Sequence, residues 1–172
     1  LSYTDSTLRP ISEQHKVVCV KSKQGSGKSE MIRKYLVDAI KCHPYHPIVF
    51  ITYRITLAMD LMKKLNEEIG VEFFSYQDKS LEQNIDLETH PRLVIQIESL
   101  HRISRESIMQ IEKRGIIVVL DEFVGLMGQI FSGLGLQQKE EDNFINLMML
   151  SRRSAKVIAL DADIIPESVE CL

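Results

Sequence analysis

The sequence predicts an α/β domain with a mainly parallel sheet flanked by helices. Short β-rich runs alternate with longer segments of helical periodicity, as expected for successive βαβ units. Several runs, such as "GIIVVL" and "RLVIQI", are continuously apolar, which is typical of strands covered on both faces. The chain has 172 residues, enough for one domain with a substantial core.

The predicted elements follow in chain order. Six strands are predicted, at His15–Lys21, Pro47–Thr52, Val71–Ser75, Arg92–Ile97, Gly115–Leu120 and Ala155–Leu160. Helical spacing of apolar residues predicts four helices, at Lys28–Lys41, Ile55–Ile69, Ser104–Lys113 and Lys139–Arg153. The polar segment Gln77–Pro91 predicts a loop. The glycine-rich segment 128–137 is interpreted as mobile, with contact to nucleic acid or to a partner left open.

Composition narrows the class of protein. The net charge of −3 argues against a basic face covering the whole domain, although it leaves room for a local basic groove. The three cysteines lie far apart without a C-x-x-C pair, so neither a zinc knuckle nor a disulfide framework is indicated. No apolar run approaches the roughly 18 residues of a membrane span. These features favour a reducing, intracellular setting.

The stretch "VCVKSKQGSGKSEMIRKYL" has the pattern of a phosphate-binding loop between a strand and a helix. In the usual pattern, G-x-x-x-x-G-K-[ST], the first position is glycine; Ser22 stands there and is also small. Lys28 would reach the β- and γ-phosphates, and the Ser29 hydroxyl would hold Mg²⁺. The alternative is a basic surface turn. The predicted nucleotide-binding residues are Ser22, Gly25, Ser26, Gly27, Lys28 and Ser29.

Two adjacent acids end the apolar run "IIVVL" and complete the predicted site. Asp121 would hold the Mg²⁺ shell, and Glu122 would orient and deprotonate the attacking water. The alternative is a pair of solvated acids at a strand end. Kinases of small substrates must exclude water and seldom need this glutamate, so the pair favours hydrolysis. The predicted catalytic residues are Lys28, Asp121 and Glu122, with ATP and Mg²⁺ as the cofactors.

Four ordered blocks, and a fifth after a helical pattern, carry a family resemblance. They are "VKSKQGSGKS" (20–29), "IVFITYRITLAMDLMKKL" (48–65), "LVIQIESLHRI" (93–103), "VVLDEFVGLMGQI" (118–130) and "AKVIALDADI" (155–164). Together they resemble the first RecA-like lobe of superfamily-two helicases, and most of all the replication origin-binding protein helicases of the herpesvirus type. "QIESLHRI" and "LDEFVGLMGQ" are the specific parts. The resemblance spans about residues 15 to 164.

The resemblance implies further roles. Contact with a nucleic-acid strand is implied for Thr52, Tyr53 and Arg54 after the second strand, and for Ser99, His101 and Arg102 after the fourth. Coupling of hydrolysis to strand movement is implied for Asp161 and Asp163, although most of these helicases have S-A-T where this chain has "DAD". The alternative for "TYR" is a strand-end turn with a helix cap, and for "ESLHR" a capped helix start.

The resemblance also implies what the chain needs as partners. Helicases of this class have two RecA-like lobes, and the second supplies an arginine to the ATP site. We expect residues 1–14 to be an extension and residues 15–172 to be the first lobe of a longer protein, slow in hydrolysis by itself. The implied function is ATP-dependent movement on DNA in replication, at a nuclear or cytoplasmic site. A P-loop kinase and a non-catalytic nucleotide- or DNA-binding module remain alternatives.

Overall fold

A computed structural model describes residues 14–21, 23, 25–78, 84–133, 135 and 137–163. Six strands of this part form one sheet in the order β1-β6-β5-β2-β4-β3, and all the pairings are parallel. The strands are β1 Val17–Lys21, β2 Ile48–Ile51, β3 Phe74–Ser75, β4 Arg92–Ile95, β5 Ile117–Asp121 and β6 Lys156–Asp161. The predicted fold class is therefore confirmed.

Helices cover both faces of this sheet. They are α1 Lys28–Cys42, α2 Ile55–Ile69, α3 Arg105–Ile111, α4 Phe123–Gly133 and α5 Gln138–Arg153, with 3₁₀ helices at Ile97–Arg102 and Glu112–Arg114. Side chains of β2 show the division: Ile48 and Phe50 pack with α1 and α2, whereas Val49 and Ile51 pack with α3, α4 and α5. Each such buried aliphatic side chain stabilises the fold by roughly 1.5–3 kcal/mol.

The structure differs from the prediction at two places. The strand predicted at Val71–Ser75 shrinks to the two residues of β3, at the edge of the sheet. Helix α4, which is not among the predicted helices, includes residues 128–133 of the segment interpreted as mobile, and Leu126, Met127 and Ile130 bury one side of this helix in the core. The described residues of the predicted loop, 77–78 and 84–91, form no helix or strand, and Ile85 and Leu87 add buried side chains to the same core.

The helix ends follow from local chemistry. Ser104 caps α3, since its side chain accepts a hydrogen bond from the Ser107 backbone N–H. Gly70 ends α2 in the left-handed conformation with φ of 66°.

Among the helices of the described segments, we find no candidate with the length and hydrophobicity that crossing a bilayer requires.

Candidate nucleotide and nucleic-acid site

The carboxyl ends of the parallel strands bring the predicted site residues to one edge of the sheet. The phosphate loop follows β1, and Asp121 ends β5; β6 lies between these two strands. A cavity of about 410 Å³ at this edge is lined by residues of both, together with Arg54 from the β2–α2 turn. Open α/β sheets bind ligands at such edges.

The phosphate loop has the backbone that its glycines allow. Gly25 and Gly27 have φ of 75° and 87°, a region that favours glycine. A Cβ at either position would meet no atom within 4 Å, so the backbone conformation, rather than lack of space, calls for glycine. The Ser26 hydroxyl donates to the Lys23 carbonyl over 2.6 Å. Ser22 lies outside the described residues.

The first turn of α1 faces this loop. Gly27 is the N-cap and has no side chain, so no side-chain cap covers the first N–H groups of the helix. Such N–H groups and the helix dipole favour a bound anion. Lys28 lies partly buried in the same turn, and its Nζ donates to the Lys23 carbonyl over 3.4 Å. Ser29 is exposed on the cavity wall.

Asp121 is held by a buried hydroxyl. Thr52 Oγ1 donates to Asp121 Oδ2 over 3.1 Å and accepts from the Arg54 backbone N–H over 2.9 Å. Burial raises the pKa of the Asp121 carboxyl, and the hydrogen bond from Thr52 works in the opposite direction. The Thr52 side chain is 0% exposed, so it is not available to a nucleic-acid strand in this structure. Its place is inside the carboxylate site.

Glu122 stands at the turn between β5 and α4 in an unusual conformation. Its φ is 60°, and among the described residues it alone combines a positive φ with a side chain. Such conformations cost about 1–3 kcal/mol and cluster at functional sites. Arg54 Nη2 lies 2.9 Å from Glu122 Oε1, forming a salt bridge. The second of the two acids thus pairs with a residue predicted to contact nucleic acid.

Tyr53 fastens the β2–α2 turn to the start of α4. Its hydroxyl donates to the Gly125 carbonyl, and a Cβ added to Gly125 would lie 3.1 Å from the tyrosine ring. Gln96 Nε2 donates to the Tyr53 carbonyl over 3.1 Å, which ties the end of β4 to the same turn. Burial raises the pKa of Tyr53, as do the charges of Glu98 and Glu122.

The second predicted nucleic-acid group lies on the 3₁₀ helix Ile97–Arg102. The backbone N–H of His101 donates to Asn143 Oδ1 over 2.7 Å, and its Nδ1 lies 3.1 Å from the same oxygen. Arg102 donates to the Tyr76 carbonyl over 2.8 Å, and its guanidinium lies 5.8 Å from the ring centroid of that tyrosine. Ser99 is partly buried. Intramolecular contacts therefore hold His101 and Arg102 near the same edge of the sheet.

Asp161 and Asp163 follow β6. Asp161 Oδ2 accepts from the Val124 backbone N–H over 2.8 Å, so this carboxylate caps the start of α4, directly after the two acids. Its Oδ1 accepts from the backbone N–H of Asp163 over 3.0 Å. Asp163 itself is exposed. Asp161 thus links the last strand to the turn that carries Glu122.

Sequence reasoning missed three residues that organise this edge. Gln96 joins the β2–α2 turn to Tyr76, whose hydroxyl donates to its Oε1. Asn143 and Asn146 are buried on α5, and Asn146 donates to the Leu100 and Ile103 carbonyls over 2.8 and 2.9 Å. The available signal was two asparagines, three apart, inside an apolar helical stripe.

The chain is similar to proteins of one known family. A family model described as "Origin of replication binding protein" matches residues 5–172. The replication origin-binding protein of varicella-zoster virus (strain Dumas) is 25% identical over 94% of this chain, and that of Gallid herpesvirus 2 is 28% identical over 91%. The chain spans 18% of the length of each.

A solved structure shows the same fold. It is the SWI2/SNF2 ATPase core of Sulfolobus solfataricus in complex with dsDNA, which matches 90% of this chain and 29% of its own with a TM-score of 0.58. At 19% identity this likeness concerns the fold alone. Because the family model covers nearly all of the sequence, the chain belongs to the origin of replication binding protein family.

Proposed function

We propose that this chain is the ATP-binding lobe of a DNA helicase or translocase that acts in replication. The observation that carries the proposal is the single cavity shared by the phosphate loop, Asp121 and Arg54. This cavity joins residues with nucleotide chemistry to a turn with the charge needed for a phosphodiester backbone. The related herpesvirus proteins are named for binding a replication origin, and the structural relative was solved with dsDNA.

Residues that line the cavity and Glu122, which follows Asp121, would have separate roles in hydrolysis. The N–H groups of Gly25–Ser29 and the start of α1 would hold the phosphates, and the Lys28 ammonium would exchange its contact with the Lys23 carbonyl for the β- and γ-phosphates. Glu122 would orient the attacking water and accept its proton. The Glu122 carboxylate lies beside the turn that carries Arg54, with which it forms a salt bridge.

The oxygen donors present fit a magnesium ion. The Ser29 hydroxyl and the Asp121 carboxylate line the same cavity, and Mg²⁺ prefers hard oxygen ligands of this kind, shared with substrate phosphates. When bound, the ion would neutralise charge on the phosphates. Thr52 would keep the Asp121 carboxylate ionised and oriented for it.

The partners follow from the same proposal. Single-stranded or forked DNA would lie along the edge formed by Tyr53, Arg54 and the 3₁₀ helix with Ser99, His101 and Arg102. A second RecA-like lobe, in the part of the protein beyond this chain, would close the cavity and supply an arginine. Asp161, which caps α4 behind Glu122, would transmit the change at the nucleotide to the neighbouring lobe.

Nucleotide binding by this chain is the first test. We expect a fluorescent ATP analogue to bind with Mg²⁺ and expect Lys28→Ala to abolish binding. Lys41→Ala is the matched control, because Lys41 is an exposed lysine in the last turn of the same helix. Equal binding by the two variants would remove the nucleotide site from the proposal.

Hydrolysis is the second test. The rate of ATP hydrolysis should be compared with and without single-stranded DNA, for this chain and for a longer protein that includes the following lobe. We expect DNA to stimulate the longer protein and expect Lys28→Ala to abolish the activity. Hydrolysis that ignores nucleic acid, or phosphate transfer to a small molecule, would contradict the motor function and leave only the nucleotide site.

A further inference from the structure

Three consecutive residues of the β2–α2 turn each contact the segment that carries the two acids. Thr52 binds the Asp121 carboxylate, Tyr53 binds the Gly125 carbonyl, and Arg54 pairs with Glu122. The turn and the acidic segment therefore meet along their whole length. Neither the Thr52 contact nor the Tyr53 contact involves the Arg54 guanidinium.

Arg54 differs from its two neighbours in exposure. The Thr52 side chain is fully buried and Tyr53 is partly buried, whereas the Arg54 side chain is 49% exposed and that of Glu122 is 36% exposed. The guanidinium is therefore accessible to a phosphate group from solvent without disturbing the buried contacts. Guanidinium groups bind carboxylates and phosphates through the same planar array of donors.

We propose that Arg54 is a positioning residue for Glu122, and that a nucleic-acid phosphate competes with Glu122 for its guanidinium. The inference rests on the proposed function and adds its regulation. Without a strand, Arg54 pairs with the Glu122 carboxylate, whose Oε1 lies 2.9 Å from the arginine Nη2. This pairing would keep the carboxylate from acting as the base. With a strand bound, the guanidinium turns to the phosphate and the carboxylate is released to act as a base.

The contacts of the β2–α2 turn allow Arg54 to change its binding partner without movement of the turn. Tyr53 and Thr52 keep the backbone of the turn in place, so the arginine side chain can change partner while the turn stays attached to the acidic segment. Exposed ion pairs are weak, typically about 0.2–1 kcal/mol, and a phosphate can displace a carboxylate at that cost. A strong buried pair would instead block the exchange.

Competition for one group is reciprocal. If a strand releases Glu122 from Arg54, then removal of the Glu122 charge must strengthen binding of the strand by the same amount. This consequence concerns binding alone, so it is measurable with this chain and without hydrolysis. The same measurement distinguishes competition from a purely structural role of Arg54. With a purely structural role, removal of the Glu122 charge would not change the affinity for the strand through Arg54.

The experiment measures binding of a fluorescein-labelled 20-nucleotide oligo(dT) by anisotropy, at low salt and without nucleotide. The variants are Glu122→Gln, Arg54→Ala, the double variant, and Glu98→Gln alone and with Arg54→Ala. Glu98 is the matched control, because its charge, like that of Glu122, raises the pKa of Tyr53, while its side chain accepts a hydrogen bond from Gln129. Circular dichroism checks that each variant is folded.

We expect Glu122→Gln to bind about two- to fivefold more tightly than Glu98→Gln, the range that an exposed ion pair predicts. The difference between the two should vanish in the Arg54→Ala background. Arg54→Ala should also lower the salt dependence of binding, by roughly 0.7 in the slope of log affinity against log salt concentration.

Two results would overturn the inference in distinguishable ways. Equal gains from Glu122→Gln and Glu98→Gln, or a Glu122→Gln gain that persists without Arg54, would reject competition while leaving the nucleic-acid function intact. Failure of the parent chain and all variants to bind the oligonucleotide would reject the nucleic-acid function, and the competition with it.

Discussion

The Thr52 hydroxyl lies 3.1 Å from Asp121 Oδ2, although the two residues are 69 positions apart in the chain. Thr52 ends up next to Asp121 because β2 and β5 are neighbours in the sheet, with Ile51 paired to Leu120. The hydroxyl is the only part of the threonine that valine lacks. Substitution of Thr52 by valine therefore removes this hydrogen bond with almost no change in side-chain shape.

We expect Thr52→Val to weaken Mg²⁺-dependent nucleotide binding roughly tenfold, since hydrogen bonds to charged groups contribute about 1.5–3 kcal/mol. Thr52→Ser keeps the hydroxyl and should stay close to the parent chain. Titration of Mg²⁺ against the affinity for a fluorescent ATP analogue checks both. Equal impairment of the two variants would contradict a role specific to the hydroxyl.

The contact between Tyr53 and Gly125 predicts a difference between two glycines of α4. Alanine at Gly128 meets no atom within 4 Å, so Gly128→Ala should raise the free energy of unfolding by about 1 kcal/mol through helix propensity. Alanine at Gly125 places a Cβ 3.1 Å from the Tyr53 ring and should gain less. Urea denaturation followed by circular dichroism measures both.

A double substitution tests the cause of that difference. In a Tyr53→Ala background the ring is gone, so Gly125→Ala should then stabilise the protein more than it does in the parent. An unchanged effect of Gly125→Ala in this background would mean that the tyrosine does not limit the position.

Asn146 of α5 binds the end of the 3₁₀ helix Ile97–Arg102. It is 1% exposed, and its side-chain amide donates to two backbone carbonyls. We expect Asn146→Ala to lower the free energy of unfolding by roughly 2–3 kcal/mol, because two buried acceptors lose their partner. Ile145→Ala on the same helix is the control, since Ile145 is 39% exposed. Its effect should be within about 0.5 kcal/mol, as for exposed positions generally.

The pair His43 and His46 gives the domain an acid sensitivity. The two rings stack with centroids 4.4 Å apart, and burial, together with the charge of His43, lowers the pKa of His46 below its usual 6.5. The unfolded chain therefore takes up a proton at a higher pH than the folded chain does. The free energy of unfolding therefore begins to fall as the pH drops below about 6.5, and this loss is complete once the pH has fallen through the lowered pKa of His46 in the folded protein.

We expect His46→Gln to reduce the loss of stability between pH 7.5 and 5.5, measured as the change in the free energy of urea unfolding. His15→Gln, at an exposed position, reports the general effect of replacing a histidine. A pH dependence as steep in His46→Gln as in the parent chain would place the acid sensitivity elsewhere.

The local pattern of apolar residues was sufficient to predict the main strands and helices of the fold. The run "IIVVL" before Asp121 is apolar at every position, which is typical of a strand covered on both faces. Helix α4 escaped prediction because Gly125, Gly128 and Gly133 have poor helix propensity. Burial of Leu126 and Ile130 against the core outweighs that cost, and burial of this kind depends on the rest of the fold.

Parts of the candidate nucleotide site could also be predicted from the sequence. The phosphate loop and the acid pair are contiguous motifs, and their meeting at one edge follows from a parallel sheet. The hydrogen bond between the buried Thr52 and Asp121 could not be predicted from the "TYR" motif, because it joins the ends of two strands far apart in the chain. Asn143 lies 42 positions from His101, and its hydrogen bonds come from a packing of α5 that no local pattern describes.

The sheet order has a consequence for how the domain is made. Strand β1, which leads into the phosphate loop, is an edge strand whose sheet neighbour is β6, with Val17 paired to Val157. A ribosome synthesises β1 first and β6 last, so the nascent phosphate loop waits for almost the entire domain before its strand has a partner. Because β6 lies between β1 and β5 in the sheet, we expect the loop and Asp121 to reach their mutual spacing only once β6 is in place. Nucleotide binding by a growing chain would therefore begin only after Asp161 has left the exit tunnel.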